Sequence, residues 1–327
     1  MKVLGAALDA DKPLVTHLII TRRCNLSCGY CFEYDQVSPP VPTAVLKERI
    51  DHLARLGSVF VTLTGGESLL HPDAAELVRY VNEKGMVPFL NTNGYLLTRA
   101  RIEELNDAGL AGMQLSIDNA RPNDVSKKSL KPLMPKLRLL AAHAKFRVRI
   151  NTVLGSGPPS EALQVARAVT MFGFDSNCSL VRDESGALIK PDPETRAAYD
   201  EIRSLGASRL PTFMDDSYTE TLLEHGTMDW KCRAGARTFL VDEYGDVHLC
   251  QPRMGNGVPL ATYTVVDIRR AFNQVKPCAK TCPIAYAHHA SKFDGWRSQK
   301  GVTLALPAPA RPQLSSGVRS PSLRVVA

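Results

Sequence analysis

Residues 14–31 read Leu14-Val15-Thr16-His17-Leu18-Ile19-Ile20-Thr21-Arg22-Arg23-Cys24-Asn25-Leu26-Ser27-Cys28-Gly29-Tyr30-Cys31. The β-branched, apolar run over 14–20 predicts a strand. Four positions past it begins a segment of eight residues that carries three cysteines. In a parallel α/β fold, chemistry collects at the carboxyl ends of strands. Three thiols on such a loop can converge on one metal centre. A CxxxCxxC loop supplies three ligands, whereas a 4Fe–4S cluster has four irons, so one iron is left open for a small chelating molecule. A partial zinc site or a chance spacing are the competing readings, although structural zinc normally takes four protein ligands.

Outward from this stretch the chain alternates. Strand-like runs fall at 14–20, 59–63, 88–91, 112–117, 147–153 and 176–181, separated by helical patterns at 43–56, 73–84, 99–108, 131–144 and 160–172. Thr43 is placed to cap the first helix, and Gly57, Gly85 and Gly109 to stop the first three. Six strand–helix repeats with short connections predict an α/β fold with a parallel sheet and its helices outside. Periodicity alone leaves a closed or partial barrel and an open doubly wound sheet both standing.

Composition narrows the class. The chain has 327 residues, 44% hydrophobic and 22% charged, which excludes a fibre and a wholly disordered chain. Eight cysteines are too few for a disulfide scaffold and suit metal ligation in a reducing compartment. The apolar run over 3–8, broken by Asp9 and Asp11, is too short for a signal peptide, and no apolar run is long enough to span a membrane, so a cytoplasmic protein is expected. Of the net charge of +7, three positive charges (Arg311, Arg319, Arg324) lie in the last 26 residues. The remaining basic residues, among them Arg22, Arg23, Lys127 and Lys128, are scattered, so a nucleic-acid partner is not expected.

The other strand ends agree with a polar cofactor at the barrel mouth. The second ends in Thr64-Gly65-Gly66-Glu67, where glycines admit a ligand to the backbone and a carboxylate can meet an amino group. The third ends in Asn91-Thr92-Asn93-Gly94 and the fourth in Ser116-Ile117-Asp118, while the fifth contains Asn151. Singly, each has an ordinary explanation as a tight turn or a helix cap.

Cys24-x3-Cys28-x2-Cys31, with Tyr30 before the last cysteine, followed by Thr64-Gly65-Gly66-Glu67, resembles the radical S-adenosylmethionine (SAM) superfamily over about residues 14–182. The resemblance implies a partial (β/α)6 TIM-like barrel. It also implies a 4Fe–4S cluster on Cys24, Cys28 and Cys31, its open iron chelated by SAM. Gly65, Gly66 and Glu67 would hold the methionine part, and the backbone at Tyr30 would meet the adenine. Asn93, Ser116, Asp118 and Asn151 would complete the cofactor contacts. The family's usual Ser-Ile-Asp-Gly reads here Ser-Ile-Asp-Asn. Reductive cleavage of SAM to a 5′-deoxyadenosyl radical is the implied chemistry, with a reductant such as flavodoxin or ferredoxin.

Four further cysteines follow: Cys232, Cys250, Cys278 and Cys282. Gly245 lies between the first two, where it would turn a hairpin of runs 238–241 and 247–249. Their spacing resembles the shortened SPASM or twitch extension of that superfamily, implying a small C-terminal Cys-rich domain with a second, auxiliary 4Fe–4S cluster. A four-sulfur structural zinc is the alternative. His288 and His289 are read as surface or packing residues. Cys178 is left over on the sixth strand, either a buried free thiol or a lumenal hydrogen-atom donor.

The expected organisation is an N-terminal extension (1–13), a barrel (14–185), a helical connector (186–230), the auxiliary domain (231–300) and a disordered tail (301–327). The expected function is a radical SAM oxidoreductase or maturase acting on a peptide, a protein or a small molecule. A non-catalytic iron–sulfur or zinc protein for electron transfer or sensing, and an RNA-modifying enzyme, are the alternatives.

Overall fold

The computed structural model describes residues 2–31, 35–183, 186–206, 217–299, 301 and 303. The tail expected over 301–327 lies outside them, apart from Gly301 and Thr303. The six expected strands form as β1 (Val15–Thr21), β2 (Phe60–Gly65), β3 (Val87–Thr92), β4 (Gly112–Ser116), β5 (Arg147–Leu154) and β6 (Asp175–Leu180). They alternate with α2 (Thr43–Arg55), α3 (Ala74–Glu83), α4 (Arg99–Asp107), α5 (Leu130–His143) and α6 (Pro159–Met171), after an opening α1 (Lys2–Leu8). Then come α7 (Pro193–Gly206), α8 (Ser217–His225), a hairpin of β7 (Thr238–Val241) and β8 (Asp246–His248), β9 (Val258–Pro259), α9 (Val265–Asn273) and α10 (Ala285–Lys292).

One nine-stranded sheet runs β6-β5-β4-β3-β2-β1-β7-β8-β9. β1 to β6 pair in parallel in chain order, and β7 pairs in parallel with the other edge of β1. The result is an open partial barrel. The Cys-rich segment therefore begins by extending the barrel sheet: the hairpin lies beside the strand that leads into Cys24. Thr43 does not cap α2. Pro42 occupies that position, and the Thr43 hydroxyl bonds Asp73 at the start of α3 instead.

Strand alternation sorts the side chains into two faces. Leu18, Leu63, Leu90, Leu115 and Ile150 point outward and are buried beneath Leu46 and Ile50 of α2, Leu77 of α3, Ile102 of α4 and Leu137 of α5. Each contributes about 1.5–3 kcal/mol by leaving water. Positions of the opposite parity, joined by register, form the concave face: His17 beside Thr62, Asn91 beside Gln114, and Ser116 beside Asn151 and Asn177. A packed apolar layer outside and a polar one inside set up a site in the lumen.

Candidate active site

The cysteine loop is anchored first by backbone. Cys24 N–H donates to the Asp35 carbonyl at 2.8 Å, and Asp35 N–H returns a bond to Arg22 at 2.9 Å, closing the loop's base. The end of β2 is zipped to the same base: Gly66 N–H donates to Thr21 at 2.8 Å and Glu67 N–H to Arg23 at 2.9 Å. This contact explains the two glycines. Gly65 has φ +135°, and a Cβ there would stand 2.0 Å from the Thr21 carbonyl oxygen; one on Gly66 would stand 2.3 Å from that of Arg22. The expectation that they admit a ligand is corrected to this extent: what approaches them is the backbone leading into Cys24.

Glu67 is likewise turned inward. It is fully buried, with Oε1 accepting from Leu69 N–H at 2.9 Å and the Thr92 hydroxyl at 2.6 Å, and Oε2 accepting from Asn93 N–H at 2.7 Å. Burial raises its pKa, partly offset by these three bonds. It is a strut between the ends of β2 and β3. That strut aims Asn93, whose Nδ2 donates to Asn25 Oδ1 at 2.7 Å and lies 3.7 Å from Cys24 Sγ. Leu26 N–H also donates to Cys24 Sγ, at 3.4 Å.

A second wall comes from the loop after β4. Asn123 Oδ1 accepts from the N–H groups of Val125 and Ser126 at 2.9 and 2.7 Å, a side-chain turn that shapes the loop. Gly29 N–H donates to Val125 O at 2.9 Å, Lys127 N–H to Cys28 Sγ at 3.3 Å, and Ser126 Oγ lies 3.9 Å from the same sulfur. Asp118 is fully buried and ties three elements together. Its Oδ2 accepts from the Tyr30 hydroxyl at 2.7 Å and Ser126 Oγ at 2.6 Å, and its Oδ1 from Val153 N–H at 3.0 Å. Lys128 Nζ donates to the Tyr30 hydroxyl at 2.8 Å. Burial works against the Lys128 ammonium, but the facing Tyr30, Asp118, Cys31 and Cys28 hold its pKa well above the usual lysine value. Burial is also the main force raising Tyr30 and Cys24.

Of the expected cofactor residues, Tyr30, Gly65, Gly66, Glu67, Asn93 and Asp118 gather around the cysteine loop. Ser116 and Asn151 are paired across β4 and β5 deeper along the concave face. Asn151 Oδ1 accepts from Asn177 Nδ2 and Ser179 Oγ, both at 3.1 Å. Cys178 departs from the lumenal reading. It has the outward parity on β6 and is buried with Ala162 and Ala166 of α6 and Ala198, Tyr199 and Ile202 of α7. Lys128, Ser126 and Asn123 escaped the sequence reading, because their place at the site depends on how the loop folds back.

Missed too was His17, on the concave face of β1. Its ring stands 4.4 Å from that of Tyr286 on α10, centroid to centroid, and its buried Nε2 has no hydrogen-bond partner. Burial lowers its pKa to about 4, so the ring is neutral at neutral pH.

The cysteines of the second set lie before, just after and beyond the hairpin along the chain. Gly245, φ +96°, turns β7 into β8, and Cys250 follows β8. Cys278 and Cys282 sit on and just after the short turn Pro277–Thr281. Cys232 packs against Ala279, which also accepts a bond from Trp230 Nε1 at 2.6 Å. Cys250 feels the charges of Cys282, Cys232 and Cys278; burial pushes it well above the ordinary thiol range and Cys282 up to about 12. Among the described residues, no three Cys, His, Asp or Glu side chains converge on a single ion. His288 is a packing residue, stacked between Tyr218 and Trp230 with centroids 4.0 and 3.7 Å away. No helix among the described residues is long and apolar enough to cross a membrane.

The family model described as the Radical SAM superfamily matches residues 18–175. The chain is 34% identical over 124 residues to an Fe-coproporphyrin III synthase of Methanosarcina barkeri, covering 37% of this chain and 31% of that protein. It is 39% identical over 107 residues to a PqqA peptide cyclase of Bradyrhizobium diazoefficiens, covering 32% and 28%. Against mycofactocin maturase MftC of Mycobacterium tuberculosis it is 26% identical over 254 residues, 73% of this chain and 65% of that one. The first two matches thus span about a third of the relatives' own length. The crystal structure of SuiB from Streptococcus suis shares the fold, with TM-score 0.61 at 14% identity over 90% of this chain and 77% of that one. Residues 18–175, just under half of the chain, thus carry the match to the radical SAM superfamily.

Proposed function

We propose that this chain is a radical SAM enzyme that modifies a peptide, with Cys24, Cys28 and Cys31 holding a 4Fe–4S cluster and Cys232, Cys250, Cys278 and Cys282 holding an auxiliary one. The observation that carries the reading is the first cysteine loop itself. Two of its thiols receive N–H donors from Leu26 and Lys127, the bonds that stabilise thiolates as cluster ligands. Cys232, Cys250 and Cys282 are soft donors whose raised pKa is offset when ligation removes the proton, and Cys278 completes the set of four.

When bound, the cluster and SAM supply one-electron cleavage of the sulfonium to a 5′-deoxyadenosyl radical, which takes a hydrogen atom from substrate. The chain's own residues do the positioning. Gly65, Gly66 and Glu67 lock the end of β2 to the base of the cysteine loop, and Asn93 and Tyr30 fix its two arms. The substrate lies on the concave face, where Ser116, Asn151 and Asn177 offer hydrogen-bonding groups. The outward apolar layer and the hairpin shield that space from water.

A peptide substrate is favoured by the likeness to the PqqA peptide cyclase, and by the match to the maturase MftC, which extends through most of the chain. The likeness to the M. barkeri synthase supports a small-molecule substrate as the second reading. A reductant such as flavodoxin or ferredoxin completes the proposal. The test is 5′-deoxyadenosine formation by anaerobically reconstituted, dithionite-reduced protein with SAM. Wild type is expected to form it and Cys28→Ala to lose it by at least a hundredfold; product from the variant at the wild-type rate would sink the cluster assignment.

A further inference from the structure

We propose that Lys128 sets the reduction potential of the three-cysteine cluster, as the positive end of a hydrogen-bonded chain that runs through Tyr30 to the buried Asp118. This rests on Cys24, Cys28 and Cys31 being the cluster ligands. The geometry is specific. Lys128 Nζ is held 2.8 Å from the Tyr30 hydroxyl, on the residue next to Cys31, and that hydroxyl donates at 2.7 Å to Asp118. The same short loop sends Lys127 N–H to Cys28 Sγ at 3.3 Å and places Ser126 Oγ 3.9 Å from it. Lys128 faces Cys31 and Cys28 as well as Tyr30 and Asp118. One loop thus brings a backbone donor and a cation to two neighbouring ligands.

Adding an electron to a cluster increases negative charge on its sulfurs. A fixed cation nearby, in a site of low dielectric, stabilises the reduced form more than the oxidised one and raises the potential; a fixed anion lowers it. Asp118 opposes Lys128, but its carboxylate is saturated by Tyr30, Ser126 and Val153. Removing the cation exposes the cluster to the anion, and removing the anion does the reverse.

The experiment is a potentiometric titration of the reconstituted full-length protein, followed by electron paramagnetic resonance of the reduced signal that SAM perturbs, which separates it from an auxiliary cluster. Lys128→Met is expected to lower the ratio of reduced to oxidised cluster at fixed potential about tenfold, 59 mV for a one-electron couple. Asp118→Asn is expected to raise it by a similar factor, and Lys128→Arg to stay within about threefold of wild type by the same relation. Opposite shifts cannot arise from a loosened loop, which would move both variants one way. An unchanged Lys128→Met potential, or two shifts of the same sign, overturns the proposal. If Lys128→Met assembles no cluster, the absence of an upward shift in Asp118→Asn overturns it. An identical SAM-perturbed signal in Cys28→Ala would instead refute the cluster assignment on which the proposal rests.

Discussion

His17 shows how one residue can carry a pH signature into the whole fold. Its neutral ring is buried against Tyr286, with a pKa lowered to about 4 from the ordinary 6.5. The unfolded chain therefore binds a proton that the folded one refuses. Stability is fully present above pH 6.5 and falls as the pH drops towards 4. The loss by pH 4 is about 3 kcal/mol. His17→Phe keeps a ring against Tyr286 and removes the titration. Urea unfolding at pH 7 and pH 4.5 is expected to show a smaller acid loss for the variant; equal losses would assign the acid sensitivity elsewhere. Nothing in the sequence around His17 distinguished it from any other strand residue, since its unpartnered nitrogen arises from contact with α10, more than 260 positions away. Glu67 was legible as important but not in its role. A carboxylate after two glycines reads as a ligand for an amino group, and only the folded chain reveals Leu69, Thr92 and Asn93 already filling its oxygens.

At the scale of elements, the decisive joint is between the end of β2 and the entrance to the cysteine loop. Gly65→Ala would drive a methyl group into the Thr21 carbonyl and impose a strained backbone. We expect a loss of about 2–4 kcal/mol in stability. We also expect a lower iron content after reconstitution, because Cys24 hangs from the displaced segment. Unfolding curves and iron analysis check both, and an unchanged iron content would show that the joint does not position Cys24. The elements themselves were largely readable, since strand–helix alternation is a local signal. All six barrel strands form within two residues of their expected ends. Thr43 misled because Pro42 already supplies a helix-compatible start, leaving its hydroxyl to reach Asp73. The loop over 118–128 was not readable as a wall of the site. Its residues meet the cysteine loop only because Asn123 folds it back.

For the whole molecule, the telling group is Arg237. Its side chain is fully buried, paired with the equally buried Asp294 at 2.7 Å. It donates to the carbonyls of Lys12 at 2.6 Å, Ala7 at 2.9 Å and Asp9. One guanidinium joins the N-terminal helix, the strand beside β1 and the segment after α10. Arg237→Met is expected to cost about 3 kcal/mol, because the buried Asp294 loses its shorter ion pair and keeps only Arg297, at 3.3 Å. Adding Asp294→Asn should recover part of that loss. Chemical denaturation of the single and double variants checks this, and a double variant no more stable than the single would mean that the carbonyl bonds dominate. Such a junction is invisible from the sequence, where an arginine among Cys, Gly and Ala reads as an ordinary surface charge.

The pairing of β7 with β1 has a further consequence, for the order of events in synthesis. β1 leaves the ribosome well before Thr238–Val241, the segment that covers one of its two edges. For more than two hundred residues of translation that edge presents unpaired backbone groups. Contacts so distant in sequence form late, and open strand edges invite association with other chains. The strand that carries the first cysteine loop is thus protected last, and the nascent chain must be kept from its neighbours until the hairpin arrives.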